Sequence, residues 1–475
     1  MKKCPQCGRE YDNTMMFCLD DGAELLYGPA SMDEPATAIL SEPGAIATGL
    51  TNSPYLSGEL QTRILGSAGY KETSSDGGFW IAVLPFKFRG ANVDLQVLAV
   101  GLSEDIVTGL SRFSYLRVIH RSSAMYVNVE AADFPTVGKE LVARYMLEGN
   151  LRQVGTKFRL AVQLVDVATG EHLWAETYDR TFSTEAIFEL QDELVPRIVS
   201  TVADFHGALP RSMSQTLRHK ASEELSPDEA LLRSFGYNEH FTPEELAEVI
   251  RCLEVAVEKA PDSSDSWAML SIMYANEYGH WHIHEPGSLD RSLSSARMAV
   301  KLAPHNSLPY YALAQALYFH HEFKSFRVAA ERAVELNPMD GATFAFMGLL
   351  IAYSGDWERG CPLAGKGLQL NPNQPGWYFY TAWHDAYRQK DYDIALDLAL
   401  KLNAPDNFYT YAVLAMCYAQ LGETRDARKA TERLIELKPD YPQIARELHG
   451  KWIVEIDLVE HMMEGLRKAG LEIPD

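Results

Sequence analysis

No part of this chain is apolar for anything like the roughly 20 consecutive residues that a membrane-spanning helix requires. Runs such as Ile81–Phe86 and Leu349–Ala352 are far too short. The opening Met1-Lys2-Lys3-Cys4-Pro5 has basic residues with no apolar stretch behind them, so it does not read as a secretory signal. Positive charge is in deficit: 43 Lys and Arg stand against 65 Asp and Glu, a formal charge of −22. Nucleic acid and anionic lipid repel such a chain, which argues against phosphate-tracking partners. Cysteine is scarce, six in 475 residues, too few for a disulfide framework. Catalytic signatures are missing too: there is no phosphate loop, no GxSxG elbow and no HExxH pair. The expectation is a cytoplasmic protein that is not an enzyme, acts on no small-molecule substrate and has no membrane span.

What the chain does have is a period. Pro304, Pro338, Pro372, Pro405 and Pro439 stand 34, 34, 33 and 34 residues apart. Four of the five follow Lys-Leu-Ala, Glu-Leu-Asn, Gln-Leu-Asn or Glu-Leu-Lys. A 34-residue period ending in proline marks stacked helix-turn-helix units. Small residues such as Ala314, Gly348, Gly360, Ala364, Ala415 and Ala427 fall where paired helices must cross closely, and large ones fill the gaps. The pattern resembles the tetratricopeptide repeat, with about six units over residues 226–475. Glu455–Ala469 reads as the amphipathic capping helix such an array needs. A nine-residue insertion carries His280, His282 and His284, which an exposed loop equips poorly for metal.

Arrays of this kind resemble one another in turning their first helices toward a concave groove. The inward positions here include Tyr311, Gln315, Tyr318, Tyr380, His384, Tyr387 and Arg388. Aromatic anchors with polar tips suit recognition of a partner peptide or helix, so these seven are the candidate partner-binding residues. The lysine-and-asparagine clamp that grips acidic carboxyl-terminal tails is not evident. Alternatively, some of the tyrosines pack between repeats.

Upstream, Phe79–Phe86 is an apolar run fit for a buried strand, and helical spacing follows over Asp94–Phe113. A strand at Leu116–His120, a helix over 134–144 and three alternating segments come next, joined at Gly155-Thr156 and Ala168-Thr169-Gly170. A helix over 184–205 closes a mixed α/β unit. Five motifs in order carry a family resemblance: Ile81-Ala-Val-Leu-Pro-Phe, Gly101-Leu-Ser-Glu-Asp-Ile, Arg117-Val-Ile-His-Arg-Ser-Ser, Tyr145-Met-Leu-Glu-Gly-Asn-Leu-Arg and Gly170-Glu-His-Leu-Trp-Ala-Glu-Thr-Tyr-Asp-Arg. Residues 78–207 resemble the TolB amino-terminal-like domain. That family places it between a signalling head, such as an adenylate cyclase, kinase or winged-helix domain, and tetratricopeptide repeats. The resemblance implies a regulatory setting and supplies no activity. Glu104, Asp105 and the Asp179-Arg180 pair read as solvated or locally paired charges rather than catalytic ones.

Residues 1–26 stand where that head would be. Cys4-Pro-Gln-Cys7-Gly8 is a zinc-knuckle turn, and Cys18-Leu-Asp-Asp21-Gly22 follows where a ribbon keeps its second ligand pair. Cys4, Cys7, Cys18 and Asp21 form a plausible tetrahedral set, because carboxylate oxygen is an acceptable zinc ligand. The segment resembles the short zinc-ribbon heads of bacterial signalling proteins. Residues 27–77, rich in Ser, Gly, Ala, Thr and Pro, read as a flexible linker. The whole is thus read as multidomain: zinc ribbon, linker, α/β mixed-sheet domain and all-α repeat solenoid. Its expected role is a non-enzymatic interaction scaffold or regulatory subunit in bacterial signalling. The alternatives are a transcriptional regulator with a DNA-contacting ribbon, or the trans-acting regulatory half of a cyclase or kinase. Metal analysis of the folded chain should return about one zinc, and Asp21→Ala should weaken its retention against a chelator; unchanged affinity would remove Asp21 from the ligand set.

Overall fold

A computed structural model describes residues 2–3, 10–11, 80–119, 134–183, 186–237, 242–281 and 287–474. The expected ligands Cys4, Cys7, Cys18 and Asp21, the 27–77 linker, His282 and His284 lie outside the described residues. At the amino end, β1 (Lys2–Lys3) and β2 (Glu10–Tyr11) pair antiparallel, with Lys2 opposite Tyr11.

The α/β domain runs β3 (Trp80–Val83), β4 (Lys87–Phe88), α1 (Val93–Leu110), β5 (Arg117–Val118), α2 (Phe134–Leu141), β6 (Tyr145–Val154), β7 (Lys157–Asp166), β8 (Glu171–Thr181) and α3 (Ile187–Ala203). Its main sheet has the order β5-β3-β6-β7-β8, parallel from β5 to β6 and antiparallel beyond, with β4 also paired to β6. Both faces of β3 are covered. Ile81 and Val83 join the core under α1, while Ala82 and Leu84 pack with Val137, Leu141 and Met146 on the α2 side. That two-sided burial explains why β3 reads as a continuous apolar run rather than an alternating one. The β6–β7 turn is two residues long, with Gly155 at φ +61°, a conformation that glycine adopts without a Cβ penalty. Asp105 accepts from Gln191, Asp179 pairs with Arg159 and Arg180 with Glu193, so these charges are locally paired.

From α4 (Ala208–Leu217) onward the described residues are helical, with no strand, and form a long repeat region resembling tetratricopeptide repeats. The pairs are α5 (Pro227–Ser234) with α6 (Pro243–Lys259), α7 (Ser264–Trp281) with α8 (Ser288–Leu302), α9 (Ser307–Phe319) with α10 (Phe323–Leu336), and α11 (Gly341–Tyr353) with α12 (Trp357–Leu370). They continue as α13 (Tyr380–Arg388) with α14 (Tyr392–Leu400), α15 (Phe408–Gln420) with α16 (Thr424–Leu437), and α17 (Tyr441–Trp452) with α18 (Ile456–Lys468). The small residues have the expected cause. A Cβ on Gly348 would lie 2.4 Å from the Ala364 amide nitrogen, and one on Gly360 2.4 Å from that of Ala352, so α11 and α12 touch backbone to backbone. Cys252 and Cys417 are buried, and Cys361 is only half-buried.

No gap separates the two domains. One hydrophobic core runs from Ile81 to Ile473. At its seam sits Asp204, fully buried just past α3. Its carboxylate accepts from Ser200 Oγ at 3.1 Å, Asn371 Nδ2 at 2.8 Å, Tyr378 OH at 3.3 Å and the His206 amide at 2.9 Å. Ser200 in turn accepts the Gly341 amide at 3.0 Å. Burial, and then the charge of Asp340, push the Asp204 carboxyl up to about 7. Tyr115 donates to the Ala203 carbonyl, Ser114 to Asp265 at 2.9 Å and Arg112 to the Leu336 carbonyl at 3.3 Å, extending the seam. Removing the acceptor from a buried set of donors typically costs about 3 kcal/mol or more. Asp204→Ala should therefore destabilise the protein by that order and split its calorimetric transition in two; a single transition at an unchanged temperature would mean that the seam couples nothing.

Candidate functional site

The repeat array closes on itself. Trp452, the last residue of α17, donates through Nε1 to the Gly279 carbonyl at 2.9 Å, and Lys451 Nζ donates to the Tyr278 carbonyl at 3.2 Å. Both partners belong to α7, so the last helical pair meets an early one. Gly279 permits this approach: a Cβ there would lie 2.8 Å from the Trp452 ring. The chain then crosses the middle repeats. Tyr318 donates to the Trp452 carbonyl, the Val454 amide to the Tyr353 carbonyl at 3.0 Å, and Trp357 Nε1 to Glu455 at 3.0 Å. Farther on, Tyr387 OH donates to the His461 carbonyl at 3.4 Å. The concave face thus grips an extended segment and a helix, and both come from the chain's own carboxyl end.

This closure divides the seven expected groove residues. Tyr311, Tyr380 and His384 are brought together as walls of an interior cavity of about 250 Å³. The other four do not line it. Gln315 is 1% exposed and donates to Asn276 Oδ1 at 2.9 Å. Tyr318 and Tyr387, at 1% and 0% exposure, are core residues whose hydroxyls hold the carboxyl-terminal segment. Arg388 pairs with Asp385 and stacks 4.8 Å over the Trp357 ring. Tyr318 and Tyr387 thus take the alternative position, packed within the array. Aromatic spacing on a first helix is the same whether the groove is open or filled by the chain itself.

The cavity lies between α7, α9, α11, α13, α15 and α17, and Phe205 and His206 from the domain seam complete it. Tyr311 stacks on Phe346 with centroids 5.1 Å apart and an interplanar angle of 17°. Trp377, Trp452 and Tyr409 add further aromatic walls. No Asp, Glu, Lys or Arg lines the space. Four imidazoles do: His206, His280, His384 and His449. Burial pushes the first three down to about 3 and His449 to about 4, so all four are neutral. His206 Nε2 accepts from Trp377 Nε1 at 3.2 Å, which puts its own proton on Nδ1. His384 Nδ1 lies 2.8 Å from the Tyr380 carbonyl and so donates to it. His280 stands in α7, and its ring packs against Trp452 with centroids 4.8 Å apart. Sequence reasoning missed His206, His280 and His449 in this role, because lone histidines at unrelated repeat positions carry no local signal. Among the described residues, no group of three or more His, Cys, Asp or Glu is placed to hold a metal ion, and no helix is long and apolar enough to cross a membrane.

Residues 78–197 match the family described as HilA/YgeH-like transcriptional regulator, second domain. A putative adenylate cyclase 3 of Rhizobium meliloti (strain 1021) is 32% identical over 240 residues, which cover 50% of this chain and 40% of the relative. The chain thus matches less than half the length of that relative. Among solved structures, pilF of Pseudomonas aeruginosa is 17% identical with a TM-score of 0.34, covering 45% of this chain and 92% of that one. TolB of Acinetobacter baumannii is 20% identical with a TM-score of 0.20, covering 27% and 30%.

The imidazoles set a pH dependence. Each folded value lies below the ordinary 6.5, so unfolding takes up protons as the medium is acidified. Their contribution is complete above pH 6.5 and is lost as pH falls toward 3 to 4, about 1–2 kcal/mol per group by pH 5. Asp204, Asp340 and Asp265, raised to about 7, 6 and 6 chiefly by burial, act oppositely and lose stability as pH rises through those values. Four groups outweigh three between pH 7 and 5. The melting temperature should fall over that interval, and a flat profile from thermal melts would mean the imidazoles are charged in the folded state.

Proposed function

We propose that this chain is a non-enzymatic regulatory protein of a bacterial signalling pathway, in which the repeat array engages a partner protein and the α/β domain moves with it. The observation that carries this reading is the seam at Asp204. One buried carboxylate ties the end of α3 of the sheet domain to Asn371 and Tyr378 in the connection between α12 and α13, so the two domains form one mechanical unit. The comparisons fit a module reused behind different outputs: one match is named for transcriptional regulators, the other for an adenylate cyclase. The partner-binding role expected of the first-helix face is modified by its self-occupation. A partner segment either competes with Trp452–His461 or docks elsewhere on the closed array. A structural zinc in the head, held by Cys4, Cys7, Cys18 and Asp21, belongs to the same reading.

Two further readings have support of their own. A cyclase-regulating role in trans draws on the named relative, and a DNA-bound regulator draws on the matched family. The net charge of −22 weighs against the second. Purified full-length chain should form no cyclic AMP from ATP and should not bind duplex DNA at physiological salt. Co-purification of a cyclase or kinase from cells should be lost in Asp204→Ala. Turnover by the chain alone would overturn the proposal, and salt-sensitive duplex binding abolished by Cys4→Ser would favour the regulator.

A further inference from the structure

We propose that the cavity lined by the repeat array is a binding site for a small, neutral, planar aromatic molecule that carries a hydrogen-bonding group, of the phenol or indole class. Its volume of about 250 Å³ matches the liquid volume of roughly eight waters, the scale of a one- or two-ring compound rather than a peptide. The walls set the shape. Tyr311 and Phe346 present a stacked pair, and Trp377, Trp452 and Tyr409 supply further faces and edges that favour offset or edge-on contact with a ring. Met269 and Met273 also line the space, and their flexible thioethers adapt to its outline.

Charge is excluded on two counts. No ionised side chain lines the space, and the four imidazoles around it are neutral in the fold. An ion entering such surroundings would lose its hydration with nothing to replace it.

Polar recognition has its own residues. Tyr409 OH and Thr410 Oγ1 are neighbours in α15, both line the cavity, and both are buried with no hydrogen-bond partner among the described residues. Native proteins rarely leave buried hydroxyls in that state, and two adjacent ones on residues that line the same cavity point to a ligand group that they satisfy. Asn276 adds a third group. Its carboxamide oxygen is taken by Gln315, so what it offers a ligand is its NH₂. The occupant would touch Trp452 at the ring closure and His206 beside the domain seam, so its binding would favour the closed form over an opened one.

The test uses the full chain with indole and phenol as probes, followed by thermal shift and tryptophan fluorescence, since Trp377 and Trp452 line the site. Both probes should raise the melting temperature and quench saturably. Benzoate, which is charged, and cyclohexanol, which is not planar, should bind at least about tenfold more weakly. Tyr409→Phe with Thr410→Val removes both hydroxyls while keeping shape. It should leave stability equal or higher and weaken phenol binding by about tenfold. Val413→Phe, or Ala404→Phe in the loop before α15 should the first fail to fold, should fill the space and abolish binding. The proposal falls if neither indole nor phenol shifts the wild type up to its solubility limit. It falls equally if benzoate binds as well as phenol, or if the filled variant that folds still binds. None of these outcomes depends on a partner protein, so they stand or fall apart from the regulatory role.

Discussion

The structure hangs on one buried carboxylate. Asp204 follows directly on the last turn of α3, where a helix-terminal carboxylate would ordinarily face solvent. Instead, donors from both sides converge on it: Ser200 and the His206 amide from the sheet side, Asn371 and Tyr378 from the repeats. A charge so placed is costly to desolvate, and Asp340 nearby raises that cost. Several donors are needed to hold it, and their number fixes the relative position of the two domains more narrowly than apolar contact would. Hydrophobic packing tolerates sliding; hydrogen bonds with defined angles do not.

The second constraint is closure, and Trp452 makes most of it. Its indole donates to α7, its carbonyl accepts from Tyr318 of α9, and its ring packs on Phe319 and His280. An open solenoid exposes its concave face along its whole length. Here the last repeat returns to an early one, and the strap that follows covers the middle. The middle of the concave face is then occupied by the chain itself. The same residues that would read as a recognition groove in an open array become walls and supports.

Much of this architecture was legible in the sequence. The proline period marked the helical pairs, and a helix read over 455–469 is observed at Ile456–Lys468. In the sheet domain, both hairpin turns fall at the glycines that signalled them, Gly155 and Gly170, each at positive φ. These features are local: periodicity and turn chemistry act over a few residues. What could not be read is long-range. Trp452 and Gly279 are 173 residues apart, and no spacing rule joins them. An aspartate after a helix, as at position 204, looks like any solvated cap until Asn371 is found beside it. Tyrosines on first helices carry the same pattern whether they face a partner, a ligand or the chain's own tail. The expected zinc ligands lie outside the described residues, and the structure leaves that reading where the sequence put it.

Closure and seam also explain each other's chemistry. Once the ring shuts, any ionisable group on its inner wall must be neutral or paired, because water no longer screens it. Histidine is the residue that meets this condition at little cost near neutral pH, since losing its proton from the ordinary 6.5 requires only a modest change in surroundings. Four of them line the interior, one beside the seam at His206 and one against the closure at His280. A lysine or glutamate at these positions would need a buried partner, and the wall supplies none. The interior's neutrality is therefore a consequence of the topology rather than a separate feature. Between the closure at Trp452 and the seam at Asp204 lies one continuous set of neighbouring aromatic rings, Trp452 to Phe346 to Trp377 to His206, with centroid separations of 6.3, 6.2 and 5.5 Å.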